Sequence, residues 1–424
     1  MAPTVIGGGR RTAIGSGNFA TPFSTIDGVT SELVVQWPLR ASGTFSRVSV
    51  NFDANGTVRA WQIRRNGANS TLVLNPPDST AIKMVGTSAE RFVAGDTFDL
   101  LVTGTGTGFQ PTSHSLVFSA DAGTFGFCVK TVQNNNGTAA VWSPDGGTFN
   151  SGSETPGNQF RIRAPAIKRN LVVFSRTNAG PGTNVVRSRK NNANGNMAVT
   201  IGSTLTGVFE DTTNSDTVAS GDFWNYQFDA GGVSFTCNVG HSAAYTTTAS
   251  EVIGGGTVNT AKAFNAANQF TFILYDQTYN ATESVVQGAL GLDGLLSNMR
   301  LGVFSNAMAG TYTVNLRKNG ANTNQSVSVA AGTTGAFEDT THSDTFTATD
   351  LLNYMYSGGV SGSILVATIA TTLRPINADP GAFALTGNAA RFAITEAVTA
   401  GAFALTGNAA QRSPQPSSRG YIVL

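Results

Sequence analysis

The sequence is short of charge. Asp, Glu, Lys and Arg make up 12% of its 424 residues, with only six Lys and eight Glu among them, and the net charge is +1. Lacking these strong helix formers and rich instead in Thr, Ser, Asn, Val and 49 Gly, the chain favours strands and turns. A helical bundle or coiled coil is excluded. A hydrophobic share of 40% with so little net charge also excludes a charge-swollen disordered chain. The balance of signs leaves no basic stripe, so no nucleic-acid partner is expected. Collagen is excluded because the glycines follow no three-residue period and Pro numbers only 14. Two cysteines, Cys128 and Cys237, are too few for a disulfide scaffold. The repeat pattern assigns them to different copies, and both read as buried thiols of a protein made in a reducing cytosol. The opening MAPTVIGGGRR lacks the apolar core of a signal peptide. The longest apolar stretch, Ile364 to Leu373, is short and broken by threonines, so no membrane is expected.

What the sequence does have is internal repetition. FEDTTNSDT (Phe209 to Thr217) returns as FEDTTHSDT (Phe337 to Thr345), with eight of nine residues identical at a spacing of 128. The same spacing carries Arg189-Lys190 to Arg317-Lys318, Asp222 to Asp350, and Asn225-Tyr226 to Asn353-Tyr354. A fainter third copy shows in RRNGAN (Arg64 to Asn69), matching RKNNAN (Arg189 to Asn194) and RKNGAN (Arg317 to Asn322), and in AGD (Ala94 to Asp96) against SGD (Ser220 to Asp222). VIGGG opens copy one at Val5 and copy three at Val252, and copy two is expected to open near Gly146-Gly147-Thr148. The boundaries so drawn are 1–145, 146–250 and 251–373, with a tail at 374–424. Within copies the apolar period is two: Val314 and Leu316, then Val327 and Val329, alternate with polar residues. Val58, Ala60 and Gln62 alternate less cleanly with Arg59, Trp61 and Ile63. Asn319-Gly320 between two such runs suits a tight hairpin. Turn clusters every 8–12 residues or so predict an all-β sandwich or barrel, and each copy is long enough for its own core.

The run TVNLRKNGANTNQSVSVAAGTTGAFEDTTHSDTFTATDLLNYMYSGG resembles the second half of the trimeric jelly roll shared by tumour necrosis factor, complement globular heads and bacterial spore-surface collagen-like proteins. Similar units recur in bacteriophage appendage proteins. The resemblance implies an all-β chain of three tandem jelly-roll-like β-sandwich domains followed by a short β-repeat tail. It also implies threefold assembly, either among the three copies of one chain or, as the expected outcome, in a homotrimer of sister subunits. Copy one departs from the pattern, with Thr87 to Phe92 where the others carry FEDTT.

The tail repeats GAFALTGNAA at Gly381 to Ala390 and Gly401 to Ala410. Each unit reads as a short strand too poor in large apolar residues to hold a core, so Phe383, Leu385, Phe403 and Leu405 are expected to dock on a sister chain or another protein. Such duplicated segments resemble the carboxyl ends of phage and prophage structural proteins. Among candidate sites, His114, His241 and His342 lie near no second His, Cys or carboxylate pair at metal spacing, so no metal or cofactor is expected. The acidic loops around Glu210-Asp211 and Glu338-Asp339 lack EF-hand spacing and read as structural turns, with calcium the alternative. Gly7-Gly8-Gly9 and Gly254-Gly255-Gly256 read as flexible strand entries. Trp224, Tyr226, Tyr354 and Tyr356 are read chiefly as core, with a glycan platform or subunit contact as the alternative. No nucleophile–base pair is legible. The expected function is a non-enzymatic virion component partnered by sister subunits and other virion proteins, made in the bacterial host cytoplasm; the alternative is a carbohydrate-binding, receptor-binding adhesin that contacts a host surface glycan.

Overall fold

A computed structural model of the chain describes residues 3–9, 18–20, 32, 36–52, 59–75, 82–104, 111–121, 124–135, 140–144, 151–179, 181–229, 235–245, 251–256, 262–263, 268–274, 279–357 and 360–376. The tail strands with Phe383, Leu385, Phe403 and Leu405, and the expected opening at Gly146-Gly147-Thr148, lie outside the described residues.

The described residues lie mostly in strands. The first module holds β1 (Thr4–Gly9), β2 (Asn18–Ala20), β3 (Trp37–Pro38), β4 (Gly43–Phe52), β5 (Arg59–Arg65), β6 (Ala68–Leu74), β7 (Ile82–Phe92), β8 (Thr97–Gly104) and β9 (Pro111–Ala120). The second holds β10 (Thr124–Asn135), β11 (Val141–Ser143), β12 (Phe160–Arg161), β13 (Ala166–Asn178), β14 (Asn184–Lys190), β15 (Ala193–Ile201), β16 (Gly207–Val218), β17 (Phe223–Asp229) and β18 (Phe235–Tyr245). The third holds β19 (Glu251–Gly256), β20 (Lys262–Ala263), β21 (Gln269–Phe272), one short helix α1 (Glu283–Val286), β22 (Gly294–Asn306), β23 (Tyr312–Lys318), β24 (Ala321–Val329), β25 (Gly335–Phe346), β26 (Leu352–Tyr356) and β27 (Ser363–Pro375).

Each module makes two antiparallel sheets, with the same order in all three. One sheet runs β1-β9-β4-β7, repeated as β10-β18-β13-β16 and β19-β27-β22-β25. The other runs β2-β8-β5-β6, repeated as β11-β17-β14-β15 and β21-β26-β23-β24. This alternation between two facing sheets is jelly-roll topology. The 128-residue repeat is a structural register: Val173 pairs with Phe209 as Leu301 pairs with Phe337. Two corrections follow from strand pairing. Because β10 pairs with β18, the second module begins near Thr124, not at 146. Cys128 and Cys237 therefore sit on adjacent strands of one sheet, opposite His241 and Gln133 respectively, and not in separate modules. The triple glycines are strand residues along their whole length: Gly7 to Gly9 pair with Ser115 to Ser113, and Gly254 to Gly256 with Ala370 to Thr368.

Each module buries its own core. The first gathers Phe45 between Phe92, Phe98 and Phe118, with ring centroids 4.8–5.1 Å from Phe45. In β5 the inward residues are Trp61 and Ile63, so the phase read through Ala60 and Gln62 is reversed there. Trp224 and Tyr226 lie in the second core, and Tyr354 and Tyr356 in the third, all four with no exposed surface. That burial corrects the glycan-platform alternative, because none of these rings reaches solvent.

The repeated short motifs are hairpin locks. Asn66-Gly67, Asn191-Asn192 and Asn319-Gly320 all take positive φ at both residues, as a two-residue turn of type I′ requires. The Asn side chain at each turn then ties down the AGD-type turn. Asn66 Nδ2 donates to Asp96, Asn191 to Asp222 and Asn319 to Asp350, at 2.6–2.8 Å. Each of those Asp residues also accepts the backbone N–H three residues before it.

Candidate functional site

Within each hairpin the preceding arginine is held by a glutamate the repeats do not announce. Arg64 pairs with Glu32, Arg189 with Glu154 and Arg317 with Glu283, at sequence separations of 32, 35 and 34. The matching position on β8, β17 and β26 is Asp99, Asn225 or Asn353, opposite the arginine in each case and fully buried. Burial first and the Glu32 charge second push the Asp99 carboxyl up to about 8.

The acidic loops close on themselves. Asp211 accepts the backbone N–H groups of Ala198, Thr213 and Asn214 at 3.0–3.1 Å. Asp339 accepts those of Ser326, Thr341 and His342. Burial would raise the Asp339 carboxyl, but the Ser326 N–H, the His342 ring and the remaining donors hold it down at about 2. His342 is an exposed partner of Asp339. His114 is buried with its ring 5.8 Å from that of Trp61. His241 is buried between Tyr226, bonded to its Nδ1, and Lys168, whose Nζ lies 2.9 Å from Nε2. Burial first and the Lys168 charge second keep this ring neutral, well below its ordinary value. Cys237 is buried. Among the described residues no three His, Cys, Asp or Glu side chains are grouped to hold a metal, and no helix is long and apolar enough to cross a membrane.

The side chains that join distant parts of the sequence lie instead at three seams between modules. Each seam sets the segment before strand four of one module on the outer face of the β4-type sheet of the next. Arg40, three residues before β4, makes a bidentate pair with Glu210 of the second module, while Val172 of β13 joins the first module's core. Arg163, three residues before β13, pairs with Glu338 of the third module. There Arg300 Nε stands 3.1 Å from Glu338 and its terminal nitrogens donate to the carbonyls of Pro156 and Gln159. Gly157 and Gly302 meet so closely that a Cβ on Gly302 would stand 2.2 Å from the Gly157 oxygen.

The third seam returns to the first module. Gly291, three residues before β22, lies with Arg47 and Val117 against it. Its φ of +83° favours glycine, so this is a site where an arginine like Arg40 or Arg163 would be strained. Hydrogen bonds replace the ion pair. Asn51 Nδ2 donates to the carbonyls of Ser284, Val285 and Gln287 at 3.0–3.3 Å, and Ser115 Oγ to that of Ala289 at 2.7 Å. Val5 and Val117 of the first module join the third module's core. One packs on two, two on three and three on one. The sequence allowed a threefold within one chain or among sister chains; these seams are of the first kind.

Sequence reasoning singled out Glu210 and Glu338 only as members of acidic loops and found none of the arginines that meet them. The one available signal is positional: Arg40 and Arg163 occupy the same place before strand four, and Glu210 and Glu338 are one residue of the FEDTT repeat. Comparison with protein-family models and with curated proteins finds no match for the chain.

Proposed function

We propose that the chain is a non-enzymatic structural component of a bacteriophage virion, a fibre, collar or head-surface appendage, made in the host cytoplasm and carried on the particle. The closed circuit of three seams is the observation that carries this reading. Faces that a jelly roll would offer to sister subunits are spent within the chain, which makes one self-braced body of three modules. The duplicated GAFALTGNAA sequence is the second support. It resembles phage carboxyl-terminal segments and supplies an attachment separate from the modules, so sister subunits and other virion proteins are reached through the tail. A homotrimer of such chains would have to form through surfaces outside the three seams. The carbohydrate-binding alternative loses its platform with the burial of Trp224, Tyr226, Tyr354 and Tyr356.

Quantitative mass spectrometry of purified particles tests the reading, alongside a chain lacking 377–424. The full chain is expected at fixed copy number. The truncated chain is expected to fold and to be missing from particles. A chain found only free in the lysate contradicts the virion role, and normal incorporation of the truncated chain contradicts the tail's part in it.

A further inference from the structure

The repeats provide an internal control on charge at the seams. Between modules one and two, Arg40 faces Glu210, one guanidinium to one carboxylate. At the equivalent places between modules two and three stand Arg163 and Glu338, but two further arginines are added. Arg161 occupies the position of Pro38, five residues before strand four. Arg300 occupies that of Val172, the first residue to pair with strand nine beyond the bulge. Three guanidiniums thus converge on the single Glu338 carboxylate, with Arg161 3.4 Å from it. Val172 shows that the fold closes this kind of seam without a charge at Arg300's position.

The protein absorbs part of the surplus. Arg300, 4% exposed, spends its terminal nitrogens on two backbone carbonyls, and the faces of Phe223 receive both Arg300 and Arg161 at 5.8 Å. Arg161 stays incompletely matched. Its Nε is shielded from solvent and donates to no protein atom, while 40% of its side chain reaches water beside Arg163. Adjacent guanidinium forks at one edge of a partly desolvated seam match the paired oxygens of a tetrahedral oxyanion.

We propose that the seam between modules two and three binds one small oxyanion, phosphate or sulfate, through Arg161 and Arg163, with Arg300 and Glu338 fixing their positions. The bound anion offsets the arginine surplus at the seam. Such binding is independent of any place in a particle, so this proposal and the virion role fail separately.

The test is isothermal titration of the full chain with sodium phosphate at an ionic strength held constant with sodium chloride, with thermal melting in parallel. One saturable site and a rise in Tm with phosphate are expected. Sulfate should compete. Arg161→Gln should weaken phosphate binding about tenfold or more, the value of a lost charge-assisted contact. Arg40→Gln, at the balanced seam, should leave phosphate affinity unchanged. Phosphate acting no differently from chloride on the unaltered chain overturns the proposal whether or not a variant folds. Unchanged affinity in Arg161→Gln overturns the assignment to this seam.

Discussion

Arg40 and Arg163 hold the same position in successive modules, three residues before strand four, and each reaches forward to the FEDTT glutamate of the next module, Glu210 and Glu338. The pairs differ in what surrounds them. Glu210 answers one partly exposed arginine, whereas Glu338 answers three, including the buried Arg300. Glu210→Gln should therefore cost about 1 kcal/mol, in the range of a surface ion pair. Glu338→Gln should cost about 3–5 kcal/mol, because it strands buried positive charge. Urea unfolding of the two variants under the same conditions checks the order; equal losses would contradict it.

Asp99 is the acidic member of a set whose other members are Asn225 and Asn353. Its folded-state pKa of about 8 lies above the ordinary 3.8. A raised carboxyl contributes stability below the unfolded value and loses it as pH climbs towards 8. Asp99→Asn should therefore stabilise the first module at pH 7 by roughly 1–3 kcal/mol, with the gain vanishing below about pH 4. Melting curves across that range provide the check, and a variant less stable at pH 7 refutes the assignment.

His241 works in the opposite direction. Its depressed pKa keeps it neutral in the fold while the unfolded chain takes up a proton near 6.5. Stability from this group is complete above 6.5 and declines as pH falls below it. His241→Gln should flatten that acid limb while costing roughly 1–3 kcal/mol at pH 7.5 through the lost Tyr226 and Lys168 contacts. An unchanged slope between pH 6.5 and 5 would show that other groups set it.

Gly302→Ala places a methyl against the Gly157 oxygen and Thr368 Oγ1, both 2.2 Å from the new atom. Neither a backbone carbonyl nor a packed strand gives way easily, so a loss of roughly 2–4 kcal/mol is expected, felt first at the seam between modules two and three. Hydrogen exchange should show faster exchange around 156–163. Exchange unchanged there would mean that the modules do not meet at these glycines.

The strand alternation, the hairpins and the module count were legible because they rest on local chemistry. Val314 and Leu316 alternate in phase with the pleat, and Asn319-Gly320 takes the positive φ its residues tolerate. The opening of the second module was not legible. β10 finds its partner β18 more than a hundred residues downstream, in a part of the module where the copies share little sequence. Asp99 escaped notice because an aspartate stands where the other copies have asparagine. The seams were hidden for a related reason: Arg40 and Glu210 acquire meaning only once two modules touch, and no periodicity in either strand records that contact.

The central claim is that the three modules close on one another within a single chain. Small-angle X-ray scattering on residues 1–378, the compact unit that contains all three, tests it most directly. A single compact body of that length has a radius of gyration of about 21 Å. The account predicts a value near that, with forward scattering corresponding to one copy. A radius of about 30 Å or more with the forward scattering of one copy, as modules strung out in a row would give, would contradict it.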